Sequence, residues 1–205
     1  MCTIYHMETQ RDIAYRLLEQ HKIVRTTELS RAGVHPETIR RMMEAGDIVK
    51  IARGLYSFPD YQPTENYSLI EAQKLVEHGV VCLLSALSFH EIGTQNPSQV
   101  WMAIPRKARP PKIDNLPIKI VKFSGEGYRS GIEKHTTQNN EIRIYNIPNT
   151  IADCFKYRNK LGIEVAVEAL KDVMLNKRTT VDELLKYADI CRVRQIITPY
   201  MESLV

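Results

Sequence analysis

No apolar run in this chain of 205 residues is long enough to cross a bilayer; the longest, Val80-Val81-Cys82-Leu83-Leu84, falls far short of a spanning helix. The first residues, MCTIYHMETQRD, lack a basic start followed by an apolar stretch, which predicts no secretion signal. Cysteine is sparse. Cys2, Cys82, Cys154 and Cys191 form no Cys-x-x-Cys pair and have no histidine pair beside them, so zinc-site spacing is absent. The six histidines never fall at metal-ligand spacing either. There is no Gly-x-Ser-x-Gly elbow. GEGYRSG, residues 125–131, has glycines but no lysine-serine or lysine-threonine end, which argues against a Walker phosphate loop and reads as a flexible strand connection. Internal repeats and low-complexity segments are missing as well. These absences predict no cofactor, no metal and no catalytic residue.

What is present is an ordinary globular composition, 43% hydrophobic and 25% charged, which predicts a packed core. Cys82 and Cys154 sit among apolar neighbours and read as buried thiols, pointing to a reducing cytoplasm. A net charge of +4 is mild and decides nothing, because a nucleic-acid footprint is a local patch and not a total. SFPDYQPTEN, rich in proline and polar residues, reads as a linker and divides the chain into residues 1–60 and 61–205.

The first part has a recognisable order. TQRDIAYRLLEQH sets Ile13, Leu17 and Leu18 on one helical face. A short second helix follows, with Thr26 or Thr27 as its cap, Leu29 and Ala32 inside and Gly33 at its end. The third begins at Pro36, where no amide donor is needed, presents Ile39, Met42 and Met43 to the core and stops at Gly46. DIVKIARGLYSF, with β-branched and aromatic residues either side of a glycine turn, reads as a hairpin. Helix, helix-turn-helix and hairpin together make a winged helix-turn-helix.

In that motif the third helix enters the major groove N-terminus first. His35, Glu37, Thr38 and Arg41 are the candidates for base contact, Arg41 for bidentate reading of guanine. Arg40 is assigned to phosphate, as are Thr26 and Thr27 at the start of the preceding helix. Lys50 and Arg53 lie on the hairpin, from which an arginine reaches the minor groove or its rim. The bland alternative is an ion pair between Glu37 and Arg41 on a solvated helix. Seven basic residues against four acidic ones between Lys22 and Arg53 favour the functional reading. One such module makes few phosphate contacts, so two copies on a two-fold operator, or help from the second part, would raise affinity. PRKARPPK offers that help through Arg106, Lys107, Arg109 and Lys112, unless it is merely a solvated strand connection.

Beyond the linker, NYSLIEAQKLVEHG and VVCLLSALSFHEIG read as helical, the second after an apolar start. QVWMAIP, PIKIVKF and EIRIYNI read as strands. NTIADCFKYRNKLG, IEVAVEALKDVML and VDELLKYADICRV read as helices, the last opened by a Thr180-x-x-Glu183 capping box. The fold class is therefore α+β, a winged helix-turn-helix followed by a mixed α/β part with a helical tail. His90, in an apolar helix, reads as a structural histidine. Lys156, Arg158 and Lys160 suit a charged helix end, with a contact surface as the alternative. Asp60, Glu71 and Lys74 give only a loose suggestion of a metal-dependent nuclease, since Asp60 lies in the linker and the other two share one helix.

The succession IVKIARGLYSF, LLSALSFHEIGTQNPSQVWMAIP and IPNTIADCFKYRNKLG resembles the AbiEi-type antitoxins of bacterial abortive-infection systems, from about Thr9 onward. The resemblance implies a two-domain transcriptional regulator. Its winged helix, with recognition helix and wing at Pro36–Ala45 and Ile48–Phe58, would bind double-stranded DNA at inverted repeats upstream of its own operon and repress it. Its second domain would counter a toxin resembling nucleotidyltransferases, with which the family's type IV members need not make direct contact. The family supplies no catalytic motif to transfer. Two readings stand beside this one: a protein-interaction antitoxin that docks on its toxin and not on DNA, and the nuclease.

Overall fold

The computed structural model describes residues 8–63, 66–113 and 116–204. Cys2 falls outside these residues. The N-terminal part opens with α1, Gln10–His21, capped by Thr9, whose Oγ1 accepts from the Asp12 amide while the Asp12 carboxylate accepts from the Thr9 amide. Then come β1, Val24–Arg25, α2, Thr26–Arg31, and α3, Pro36–Glu44. The hairpin strands are β2, Val49–Ala52, and β3, Leu55–Ser57. The three strands form one antiparallel sheet in the order β1-β3-β2, with Val24 opposite Tyr56 and Lys50 on the other side of Tyr56. Three helices and this sheet close over Ala14, Leu18, Leu29, Val34, Ile39, Met42 and Ile48, all buried, with Ile13, Leu17 and Met43 packed at the margin. A buried aliphatic side chain contributes about 1.5–3 kcal/mol, so this small core is enough to orient α3.

One local reading changes. The residue that caps α2 is Arg25, not Thr26 or Thr27; Glu28 reaches back to accept from the Arg25 amide at 2.7 Å. Thr26 is already helical and faces the hairpin.

The second part is built on a five-stranded mixed sheet. Its elements run α4 (Tyr67–Leu75), β4 (Val80–Val81), α5 (Leu83–Phe89), β5 (Val100–Pro105), β6 (Ile118–Phe123), α6 (Glu126–Arg129), β7 (Ile132–Thr137) and β8 (Asn140–Tyr145). The helical tail is α7 (Ile147–Lys156), α8 (Arg158–Leu161), α9 (Ile163–Leu175), α10 (Val181–Cys191) and α11 (Arg194–Glu202). The strand order is β6-β5-β4-β8-β7. β5 runs parallel to β6 and β4 parallel to β8, while β4 with β5 and β7 with β8 are antiparallel.

Both faces of this sheet are covered, and the alternation of strand side chains shows how. Val100, Met102 and Ile104 of β5, with Ile142 and Ile144 of β8, face one cluster that includes Leu69, Ala72 and Val76. Ala103, Val121, Phe123 and Tyr145 face the other, larger cluster, to which α5, α7, α9, α10 and α11 contribute. Along α7 every side chain from Pro148 to Phe155 is buried, including the polar Asn149, Thr150 and Asp153. Cys82, Cys154 and Cys191 are free buried thiols.

Two side chains between the parts, Phe58 and Tyr61, are anchored. Tyr61 donates to Gln138 Oε1 at 2.8 Å, and the Tyr15 and Phe58 rings stack 5.8 Å apart. Ile70 of α4 packs with Ile23, Ala52 and Leu55 of the winged unit. A cleft of about 580 Å³ at this seam contains Arg25, Glu28, Lys74, Glu77, Lys134, Glu141 and Arg143. Its charges are largely paired: Lys74 with Glu28, Arg25 with Glu77 at 3.4 Å and Lys134 with Glu141 at 3.1 Å. At the far end of α1, the side-chain amides of Asn139 and Asn140 donate to the carbonyls of Gln20 and His21, at 3.0 and 2.6 Å.

Candidate nucleic-acid interface

The exposed surface of α3 is positioned from α1. The Gln10 side-chain oxygen accepts from the His35 amide at 2.9 Å and from the Thr38 hydroxyl at 2.7 Å, fixing the start of α3. At the other end Arg11 donates to Asp47 Oδ2 at 2.6 Å, just past Gly46, whose φ of +78° turns the chain out of the helix. Ile39 and Met42 point into the core, which leaves His35, Arg40 and Arg41 exposed and Glu37 and Thr38 half-exposed.

The two arginines share one carboxylate. Glu37 accepts from Arg40 Nε at 2.9 Å and Nη2 at 2.7 Å, and from Arg41 Nε at 3.2 Å. Arg40 also pairs with Glu44. The Arg40 hydrogen bonds hold the Glu37 carboxyl down to about 2, and the same contacts push the Arg40 guanidinium up. Arg40 is therefore flanked by two acids. Arg41 has one longer bond and a side chain that is 75% exposed. The ion pair between Glu37 and Arg41 that the sequence suggested as a bland alternative is present, and Arg40 competes for the same acid.

On the hairpin, Arg53 and Gly54 make the two-residue connection between β2 and β3, with Gly54 at φ +71°. The Gly54 carbonyl accepts from the Thr26 amide at 2.9 Å and lies 3.3 Å from the Thr26 hydroxyl. The tip of the wing is thus docked on the start of α2. Both donors of Thr26 are engaged by the protein itself, while Thr27 beside it is exposed. Lys50 and Arg53 are exposed, and neither forms an ion pair among the described residues.

In the second part Arg106, Lys107, Arg109 and Lys112 are all exposed on the connection after β5. His90 is a structural histidine: its Nε2 lies 2.8 Å from the Tyr145 carbonyl, and burial lowers its pKa. Lys156 and Lys160 lie over the rings of Phe123 and Tyr157, each 5.6 Å from the centroid, and Arg158 donates to the Phe155 carbonyl at 3.0 Å. Of the residues that suggested a nuclease, Lys74 is paired with Glu28, and Glu71 is buried with its carboxyl pushed up by desolvation. No three histidine, cysteine or acidic side chains among the described residues lie close enough to hold a metal ion. No helix among them is long and apolar enough to cross a membrane.

Sequence reasoning missed Gln10, Arg11, Asp47 and the pairing of Glu44 with Arg40, although their four-residue spacing on one helix announces that pair. Gln10 and Arg11 act across 25 to 36 residues, and no local pattern marks them.

Residues 11–59 match the family model described as a transcriptional regulator, the AbiEi antitoxin. The match runs from the first turn of α1 through the wing, so the resemblance noted in the sequence holds over this unit; the later segments lie beyond the matched residues. No curated protein matches the chain. Among solved structures, the crystal structure of the RV2827C protein from Mycobacterium tuberculosis is similar, with a TM-score of 0.59 and 13% identity over 87% of this chain and 70% of that one. At that identity the likeness is one of fold.

Proposed function

We propose that this chain is a DNA-binding repressor of its own operon and the antitoxin of an abortive-infection toxin–antitoxin pair. The observation that carries the proposal is the exposed Arg41 on α3 together with the exposed Lys50 and Arg53 on the hairpin of a unit that matches transcriptional-regulator antitoxins. In this reading α3 lies in the major groove with His35, Glu37 and Arg41 toward base edges, and Thr38, half-exposed, contributes its remaining acceptor capacity. Arg53 and Lys50 meet the phosphate rim or the minor groove, and Thr27 meets a phosphate. Thr26 is left out of the contact set because its donors hold the wing. Two copies on an inverted repeat supply the affinity that one module lacks. A nucleotidyltransferase-like toxin is the functional partner, and no catalysis by this chain is part of the proposal.

Gel shifts on the upstream DNA over a salt series test it. Arg41→Ala is expected to relax preference among operator variants, at about 1–3 kcal/mol for the base pair it reads. Arg53→Ala is expected to weaken all sequences alike and to reduce the salt slope by about one. Equal affinity for operator and random duplex rejects the specific reading.

The clasp on Glu37 adds an expectation. Phosphate or guanine must compete with that carboxylate for both arginines, so Glu37→Gln is expected to raise affinity for random duplex a few-fold, about the yield of one extra phosphate contact. An unchanged or weaker non-specific affinity in Glu37→Gln means that the acid does not restrain them.

The same observation favours a second reading. A charge-balanced α3, with Arg40 between Glu37 and Glu44, suits a protein surface as well as a polyanion. Docking on the toxin predicts co-purification of the two gene products and a complex insensitive to salt, without a shift of the upstream DNA.

A further inference from the structure

The ends of β5 and β6 and the short α6 enclose a cavity of about 420 Å³, lined by Pro105, Arg106, Lys107, Phe123, Tyr128 and Arg129 among others. The two parallel strands end in register, Pro105 opposite Phe123, and the Arg106 amide donates to the Phe123 carbonyl at 2.8 Å. That bond fixes Arg106 at the mouth. Gly125, at φ +60°, turns the chain from β6 into α6, which brings Tyr128 and Arg129 to the opposite wall.

The charge here is one-sided. Among the described residues, Arg106, Lys107 and Arg129 form no ion pair and no carboxylate lines the cavity. Lys156, from α7, lies over Phe123 and close to Gly127, adding a fourth cation nearby. The acid of α6, Glu126, accepts from Ser130 Oγ at 2.8 Å. The wall between these cations is apolar. The Tyr128 hydroxyl donates to the His78 carbonyl, which holds its half-buried ring, and Phe123 is stacked between Tyr145 and Tyr157 at 5.7 and 5.5 Å.

Unpaired cations around an apolar-walled hollow match an anion with a flat apolar body. The volume suits one nucleotide, and a base reaches such a hollow only when it is neither stacked nor paired in a duplex. Arg109 and Lys112 continue along the same exposed loop, a track for further phosphates, which favours a strand over a free nucleotide. We propose that this cavity seats one unpaired nucleotide of a single-stranded nucleic acid, its phosphate among Arg106, Lys107 and Arg129 and its base against Tyr128. The site is separate from the duplex-reading surface of α3 and the wing, and it stands or falls independently of it.

The test uses the full chain and fluorescein-labelled oligothymidine and oligouridine of about 12 nucleotides, followed by anisotropy over a salt series. The double variant Arg106→Glu/Arg129→Glu is expected to lose about tenfold or more in affinity and to show a shallower salt slope. Tyr128→Leu, which keeps bulk but removes the ring, is expected to lose roughly tenfold, the scale of a missing base–aromatic stack. Arg41→Ala/Arg53→Ala should lose much less strand affinity than the cavity variants, and circular dichroism should show all variants folded. Absent strand binding, or folded cavity variants that bind like the parent, overturns the proposal. Thymidine monophosphate displacing the strand at equal concentration overturns the strand assignment, and a requirement for large excess supports it.

Discussion

Gly131→Ala is expected to lower the melting temperature by roughly 5–15 °C, an unusually large effect for the addition of one methyl group. Gly131 sits at φ +72°, between α6 and β7, and an added Cβ would lie 2.8 Å from Asn149 Cβ, 2.9 Å from Asn146 Oδ1 and 3.0 Å from the Tyr187 ring. None of these neighbours can move aside. Asn149 is fully buried on α7, and Asn146 caps that helix by accepting from the Asn149 amide at 3.1 Å while donating to the Tyr187 hydroxyl at 2.9 Å. Left-handed backbone costs an L-residue about 1–2 kcal/mol and overpacking a further 1–3 kcal/mol or so. Gly33→Ala separates the two costs. Gly33 has φ +89° but nothing within 4 Å of the added Cβ, so only the backbone contribution of about 1–2 kcal/mol applies there. If thermal melts show equal losses in the two variants, the crowding around Gly131 is not real.

The second large effect concerns pH. Asp153 is fully buried on α7, accepting from Asn149 Nδ2 at 3.1 Å and from the Cys191 thiol at 3.3 Å. Burial pushes its carboxyl up to about 7, against the pull of these bonds and of Lys156. A folded-state pKa above the unfolded one means that the native protein holds the proton more tightly. The stabilisation is therefore complete at about pH 4 and below, and is lost as pH rises to 7. The gap converts to at most roughly 4 kcal/mol. Asp153→Asn keeps the shape and removes the titration, so its advantage over the parent should grow from pH 4 to pH 8 by up to that amount. Other groups also titrate in this window. His90, whose pKa burial lowers, contributes in the opposite direction, because its stabilisation grows as pH rises toward the unfolded value. Comparing variant with parent cancels it. Urea midpoints measured across the range decide the matter, and parallel profiles would mean that Asp153 titrates alike in the folded and unfolded chain.

These two residues show why the sequence was readable in some places and not in others. Thr180 and Glu183 form the capping box that their spacing announced, each bond at 3.2 Å, because a cap is a contact within one turn. Pro36 and Gly46 bound α3 for equally local reasons. By contrast β1 and β4 have two residues each and are strands only through their partners, so no alternation could reveal them. β7 is an edge strand, polar after Ile132 and with no buried residue. α11 carries Pro199 in its interior, normally a reason to end a helix, yet Ile197 and Met201 are buried against the main core and hold it. GEGYRSG, which read as a flexible connection, contains α6 and ends at the crowded Gly131. At the candidate interface, residue type and exposure could be read in sequence for Arg41, Lys50 and Arg53. The engagement of Thr26 by Gly54 could not, since it depends on how the hairpin folds back.

Helix α1 has a consequence for how the molecule moves. Its first two residues, Gln10 and Arg11, grip the two ends of α3, and its last two, Gln20 and His21, are gripped by Asn139 in the turn after β7 and Asn140 at the start of β8. Twelve helical residues make a stiff strut of about 18 Å between those attachments. Tilting the edge of the large sheet would therefore lever the arginine-bearing helix with it, without passing through the chain connection at all.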